Sequence, residues 1–259
     1  MPADVKNAGK RFMAPGTRYP AAAGSFYPSG RDDSLKLLKK FFNNTKKVVS
    51  GKVRALIVPH AGLVYSGQTA AWGYKQISGS QQKRFVLLGP AHHGFFIGLA
   101  ASSLASWLTP LGVVKQKSLG QLPLNDSAHA SEHCLEVQLL FLQYLFKDFK
   151  ISCLLTGSET SLVLPEDSVL IVSSDLSHYL PQNQAESYDR KTIEAILTGD
   201  REFLLKNEDC ACGRIGVLML MKLAKASQWQ AKLVCYDTSA TASGDSGRVV
   251  GYSAIVFYE

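Results

Sequence analysis

The chain has 259 residues, of which 46% are hydrophobic, 10% aromatic and 19% charged, a composition that supports a sizeable core and excludes wholesale disorder. Its net charge of +7 comes from the amino-terminal part of the chain, because residues 1–54 hold twelve Lys or Arg against three Asp. No apolar run is long enough to span a membrane, the amino terminus lacks the apolar stretch of a signal peptide, and the odd number of five cysteines favours reduced thiols in a cytoplasmic protein.

Helical and extended patterns alternate along the chain, which predicts an α/β fold. We expect a flexible arm over residues 1–17, followed by a single domain, 18–259, whose mixed, mainly parallel sheet is flanked by helices. The predicted helices cover 32–42, 68–77, 131–146, 187–200 and 213–227. The predicted strands cover 53–62, 84–90, 150–157, 168–175, 231–239 and 249–259.

The histidines are placed at the ends or starts of these elements. The six are His60, His92, His93, His129, His133 and His178. A single histidine at such a position is more often structural than functional. Four of them, however, follow three different strands, and parallel strands bring their carboxyl ends to one shared crevice. Because histidine is both a common metal ligand and a common acid or base, this pattern predicts a site at that crevice.

Acidic side chains accompany the histidines. Asp175 precedes His178 by three residues, and Glu132 and Glu136 flank His133 at the start of the predicted helix 131–146. The i,i+4 spacing of the two glutamates can turn both toward the pocket, where carboxylates orient ligating imidazoles. The alternative for the glutamates is a salt-bridged helix start.

Cys212 could supply a sulfur ligand to the same site. It comes just before the predicted helix 213–227 and close to Arg214, and both features lower the pKa of a thiol. Cys210 lies two residues earlier, but without a second cysteine pair this spacing does not indicate a structural zinc site.

Seven motifs occur in an order that resembles the MEMO family, also called AmmeMemoRadiSam system protein B. They are AGSFYP (23–28), VPHAGLVYSG (58–67), LLGPAHHG (87–94), EHCLEVQ (132–138), SSDLSHY (173–179), CGRIGV (212–217) and VVGYSA (249–254). The resemblance extends from about residue 19 to the end of the chain. One departure is Cys134, which stands where a serine is expected.

The resemblance implies a fold like that of the class III (LigB-type) extradiol dioxygenases. It places metal ligands at His60, His92 and Cys212, with Asp175 and His178 lining the pocket as catalytic residues and His93, Glu132, His133 and Glu136 around it. Those dioxygenases hold iron(II) with two histidines and a carboxylate. A cysteine in the third position weakens the case for ring cleavage and makes copper an alternative to iron(II).

Three functions follow as hypotheses. The first is a non-haem metal oxidoreductase acting on a small molecule, in which His178 moves protons and Asp175 orients a ligand or water. The second is a non-catalytic protein that uses the pocket to bind a peptide or to buffer metal. The third, nucleic-acid binding through the basic amino-terminal quarter, is the weakest, since a solvated helix face explains that charge and no recognition motif accompanies it. The sequence does not define an oligomeric state.

Overall fold

A computed structural model describes residues 16–259 of the chain. The predicted arm over 1–17 therefore lies outside the described residues except for Gly16 and Thr17. Thr17 belongs to a two-residue strand that pairs with residues 106–107. Within the described residues, no helix is both long and apolar enough to cross a membrane.

Eleven strands and eight α-helices make up the described chain. The strands are β1 (Thr17–Arg18), β2 (Val53–Val58), β3 (Arg84–Pro90), β4 (Leu99–Ala101), β5 (Ser106–Thr109), β6 (Gly112–Gln116), β7 (Lys150–Thr156), β8 (Ser168–Ser173), β9 (His178–Leu180), β10 (Gln230–Thr238) and β11 (Val249–Tyr258). The helices are α1 (Arg31–Asn43), α2 (Leu63–Ile77), α3 (Asp126–Ala130), α4 (Cys134–Leu145), α5 (Gln182–Thr198), α6 (Arg201–Lys206), α7 (Arg214–Ala226) and α8 (Ala240–Ser243).

The strands form one mixed sheet, which confirms the predicted fold class. Its order is β1-β5-β6-β7-β3-β8-β2-β11-β10, with β4 added to β7 and β9 added to β11. The four central strands β7, β3, β8 and β2 are mutually parallel, whereas β11 and β10 continue the sheet in antiparallel fashion. The carboxyl ends of β3, β8 and β2 consequently lie side by side at one edge of the sheet.

Helices cover both faces of the central strands, so these strands are apolar on both sides. In β2, Leu56 and Val58 face a core that includes residues of α1, α2 and α4. Ala55 and Ile57 face the opposite core, to which α5 and α7 contribute. This alternation follows from the period of two in a strand and explains why β2 reads as a continuous apolar run.

Several predicted boundaries differ from the structure. Helix α4 begins at Cys134 and not at residue 131, so Glu132 and His133 belong to the segment before it. Helices α2 and α5 each begin five residues before the predicted start. The short elements β4, β5, β6 and β9 and helices α3, α6 and α8 escaped prediction, because segments of three to six residues carry too little periodicity.

Two glycines allow helices to approach the strand ends closely. A Cβ atom at Gly213 would lie 2.6 Å from both the carbonyl oxygen of Ser173 and the Cβ of Ser174. A Cβ atom at Gly89, near the end of β3, would collide with the sulfur of Cys134. These glycines therefore let the amino termini of α7 and α4 reach the edge where β3, β8 and β2 end.

Replacing Gly213 with alanine should destabilise the fold by about 1–3 kcal/mol, because the new methyl group meets the Ser173 carbonyl oxygen and the Ser174 Cβ, neither of which can move away cheaply. Gly94→Ala is the matched control, since the nearest atom to its added Cβ is 3.9 Å away. Urea denaturation of both variants measures the difference. Equal stability of the two variants would contradict the proposed close contact.

Candidate metal centre

The ring of His60 is held in one tautomer by a buried hydrogen-bond network. His60 follows β2, and its Nδ1 lies 2.9 Å from the hydroxyl oxygen of Ser173. That hydroxyl donates its hydrogen to the carbonyl of Cys134 at 2.8 Å and accepts a hydrogen bond from Nε2 of Gln138 at 2.7 Å. Because its one hydrogen is already used, Ser173 must also accept from His60, which places the proton on Nδ1 and leaves a lone pair on Nε2.

The carboxylate of Glu132 orients the ring of His92 and lies close to the ring of His133. Its Oε1 is hydrogen-bonded to Nδ1 of His92 at 2.9 Å and lies 3.3 Å from Nδ1 of His133. A carboxylate accepts hydrogen bonds only, so it favours the His92 tautomer with Nδ1–H. Glu132 also accepts the backbone N–H groups of His92, His133 and Cys134, at 2.8–3.0 Å.

Burial alone would raise the pKa of Glu132, but the hydrogen bonds and charge of His92 and the backbone N–H donors lower it well below its usual range. The group is thus ionised throughout the physiological range. Burial lowers the pKa of His60 from 6.5 to about 4 and also lowers the pKa of His133. His60 and His133 are therefore neutral at pH 7, which is the form that can bind a metal.

The three histidines face one another. The ring centres of His60 and His92 are 5.2 Å apart, those of His60 and His133 are 5.4 Å apart, and those of His92 and His133 are 4.9 Å apart. One nitrogen from each ring falls in a set whose members all lie within 4.8 Å of one another. Because Nδ1 of each ring faces an acceptor, the Nε2 atom of each ring is the one that can bind a metal.

Cys212 and Asp175 lie on the other side of His60. The sulfur of Cys212 is 3.4 Å from His60 Nε2 and accepts the backbone N–H of Asp175 at 3.2 Å. His60, Asp175 and Cys212 form a second group of donor atoms within 4.8 Å. Burial raises the pKa of Cys212, which keeps the thiol protonated unless a metal binds it.

The predicted thiolate at Cys212 is accordingly corrected. Arg214, which was expected to lower the pKa of that thiol, donates to the carbonyl of Leu204 and lies 3.5 Å from Glu208. Its charge is therefore directed away from the sulfur, and desolvation outweighs the favourable position before α7.

The predicted ligand set of His60, His92 and Cys212 overlaps both groups. His60 belongs to each of them, His92 lies in the group with His133, and Cys212 lies in the group with Asp175. His133, which was predicted only to surround the ligands, is as close to His60 as a ligand would be. A third group combines His92, Glu132 and Cys134, but Glu132 is already engaged by His92 and by backbone donors.

Asp175 fixes the backbone at His60 and also lines the adjoining cavity. Its Oδ1 accepts the backbone N–H groups of His60 at 2.8 Å and of Ala61 at 3.3 Å, and the residue is buried. These bonds fix the chain where it leaves β2. Asp175 therefore holds the backbone of His60 in place, whereas we expected it from the sequence to orient a ligand or water.

Glu136 does not join the cluster. Its carboxylate accepts from Arg18 and Tyr27 and from the backbone N–H groups of Ala21 and Ala22. The prediction that Glu132 and Glu136 share a pocket was wrong, because α4 begins after Glu132 and turns Glu136 toward the amino-terminal segment.

The remaining predicted histidines occupy different surroundings. His93, which was expected around the pocket, is exposed in the loop after β3 and is not among the residues that line the cavities at the cluster. His178 is exposed at the start of β9 and reaches the cavities beside the cluster. His129 is buried, with Nε2 3.0 Å from the carbonyl of Ala100, and serves the packing of α3.

Two cavities meet at the cluster. One, of about 580 Å³, is lined by all three clustered histidines and by Asp175. The other, of about 840 Å³, contains Cys212 in its wall. His92 and His178 line both cavities.

Sequence patterns left several contributors unassigned. Ser173, Gln138, Tyr179 and Tyr252 all lie inside the quoted motifs, yet none was given a role. Gln138 could have been recognised as a buried amide in an otherwise apolar stretch of α4, since such groups require partners. The hydroxyl of Ser173 gave no comparable signal.

Comparison with known proteins agrees with the motif resemblance. The family described as Memo-like protein matches residues 18–256. A MEMO1 family protein of Archaeoglobus fulgidus is 36% identical, covering 93% of this chain and 99% of its own length. MEMO1 family proteins of Methanosarcina barkeri and Thermoplasma acidophilum are 34% and 32% identical, each over 92% of this chain and 99% and 98% of their own lengths.

The metal-free protein should lose stability as the pH falls from 6.5 toward 4. In this window the unfolded chain binds a proton at residue 60 whereas the folded chain keeps His60 neutral, so proton binding stabilises the unfolded state relative to the folded state. The effect of His60 alone reaches about 3 kcal/mol, at ~1.4 kcal/mol per pH unit. Urea titrations at several pH values measure it; His60→Gln should flatten the decline and His93→Gln should leave it unchanged.

Proposed function

The chain belongs to the Memo-like protein family, and on this premise we propose that it is a non-haem metal protein with a redox-active centre at His60. The single observation that carries the proposal is the set of three imidazoles whose Nδ1 atoms face fixed acceptors. Such acceptors orient metal-binding histidines and make them better donors. Preorganised rings that face one another are not needed for packing alone.

The donors fit a transition metal better than Mg²⁺ or Ca²⁺, which prefer oxygen. His60 and His92 would be two of the ligands, as the family resemblance implies. The third donor is Cys212, as the family resemblance implies, and His133 is the alternative supported by its proximity to His60. Iron(II) suits two histidines with one further donor and open positions, and the sulfur makes copper a second choice.

When bound, iron(II) or copper would supply one-electron redox chemistry toward a small molecule in the adjoining cavity. The protein's own groups would complete the reaction. His178, which is exposed and lines both cavities, is placed to accept or donate a proton. Asp175 keeps His60 in place through its backbone, and Tyr252 and Phe26 help to exclude water from the cavity.

A non-catalytic alternative is supported by a separate observation. Phe95 and Ile97, in the loop that follows His92 and His93, are 106% and 90% exposed. Apolar side chains this exposed beside a pocket are typical of a surface that binds a peptide. In that case the metal would shape the pocket or be stored there, and no oxygen would be consumed.

Metal content is the first test. Anaerobically purified wild-type protein should carry near-stoichiometric iron or copper by inductively coupled plasma mass spectrometry, and His60→Ala and His92→Ala should lose it. Comparing Cys212→Ser with His133→Ala identifies the third ligand. A bound thiolate also predicts proton release on metal binding, because the free thiol is protonated, whereas neutral His133 would release none. Wild-type protein that stays metal-free after reconstitution would contradict the proposal.

Oxygen consumption tests the reaction. Iron-loaded protein should consume oxygen with a member of a panel of catechols and other small aromatic compounds, followed with an oxygen electrode. His178→Ala should retain its metal and slow turnover by about 100-fold or more, the usual contribution of a positioned acid or base. Unchanged uptake in that variant would remove His178 from the reaction, and no uptake with any compound would favour the peptide-binding alternative.

A further inference from the structure

The cavity of about 580 Å³ has a distinctive outer wall. Its inner end is formed by the histidine cluster, and its volume suits a small organic ligand. Aromatic rings supply much of the rest of the lining, from Phe26, Tyr65, Tyr179 and Tyr252. Arg248 is the one guanidinium among its lining residues, so the charge and shape of this wall determine what the cavity can accept.

Tyr179 is placed in this wall by a β-bulge. His178 and Leu180 of β9 pair with the consecutive residues Val250 and Val249 of β11, which leaves Tyr179 as an extra residue between them. Its φ of 60° lies in the left-handed region, a conformation that costs a non-glycine residue about 1 kcal/mol. The side chain is nevertheless 63% exposed, so no buried packing of the ring offsets this cost. Bulges next to functional sites commonly re-aim a side chain in this way.

Arg248 immediately precedes Val249, the first residue of β11, and its guanidinium stacks on the ring of Tyr179. Its guanidinium carbon lies 5.1 Å from the centre of Tyr179. The nearby acid Asp245 uses Oδ1 to accept the backbone N–H of Gly247 at 2.8 Å. Among residues 16–259, the ion pairs found do not include Arg248. The ring of Tyr179 thus holds the Arg248 guanidinium at the cavity, and the N–H groups of Arg248 stay available to a ligand.

We propose that Arg248 and Tyr179 form a specificity pair that recognises an anionic group on the ligand of this cavity. The ligand class is a small molecule with a carboxylate or phosphate at one end and a planar apolar body that the aromatic wall covers. A guanidinium matches the two oxygens of such a group, and stacking on Tyr179 fixes its direction. As a statement about substrate, the inference rests on the proposed function; as a statement about binding, it does not require the metal.

Titration with three probes of similar size tests the pair. Benzoate and phenyl phosphate carry the two candidate anions, and benzamide is their neutral counterpart. Chemical-shift titrations of wild-type protein at low ionic strength should give at least about tenfold tighter binding of one anion than of benzamide. Arg248→Gln should remove that preference, whereas Arg190→Gln, on α5 and outside this cavity, should keep it.

A second variant separates recognition from folding. Tyr179→Gly relieves the left-handed backbone, so its melting temperature should equal or exceed that of the wild type while anion binding weakens at least about threefold. Performing each titration on metal-free and metal-loaded protein keeps the two proposals distinct. Failure of the metal test with an intact anion preference would affect only the redox proposal. Equal wild-type binding of anion and benzamide, no anion binding, or an unchanged preference in Arg248→Gln would overturn the specificity pair.

Discussion

The buried carboxylate of Glu132 is the interaction on which the site depends. A fully buried charge is costly unless several donors surround it, and here the imidazole of His92 and three backbone N–H groups donate to it, with the ring of His133 3.3 Å away. The same contacts join the end of β3 to the start of α4. Arg18 holds the Glu132 carbonyl at 2.6 Å and also binds Glu136, so β1 is tied to the residue that orients His92 and His133. Fold and site therefore share one buried polar network.

The sequence was sufficient to predict the framework of the fold, for physical reasons that particular elements illustrate. Strands β2, β3 and β8 are buried on both faces, so each appears in the sequence as a continuous apolar run that indicates a central strand. Segments such as β5 and β9 are short, and β9 exists because it pairs with distant residues of β11. Its pairing depends on tertiary context that no local pattern contains.

The candidate site was predictable to a similar depth. The positions of His60 and His92 after strand ends were enough to predict that they lie close together, because the carboxyl ends of parallel strands meet at one edge of the sheet. The roles of Glu136 and Arg214 were mistaken, since one depends on where α4 begins and the other on which carbonyl a long side chain reaches. The tautomer of His60 depends on the single hydrogen of Ser173, a feature visible only when three elements meet.

The lining that the two cavities share has a consequence for variants of His92 and His178. Both side chains line the cavity of about 580 Å³ and the cavity beside Cys212. A truncation of either side chain therefore changes the shape of two spaces at once, so its effect on binding in one cavity is coupled to the shape of the other.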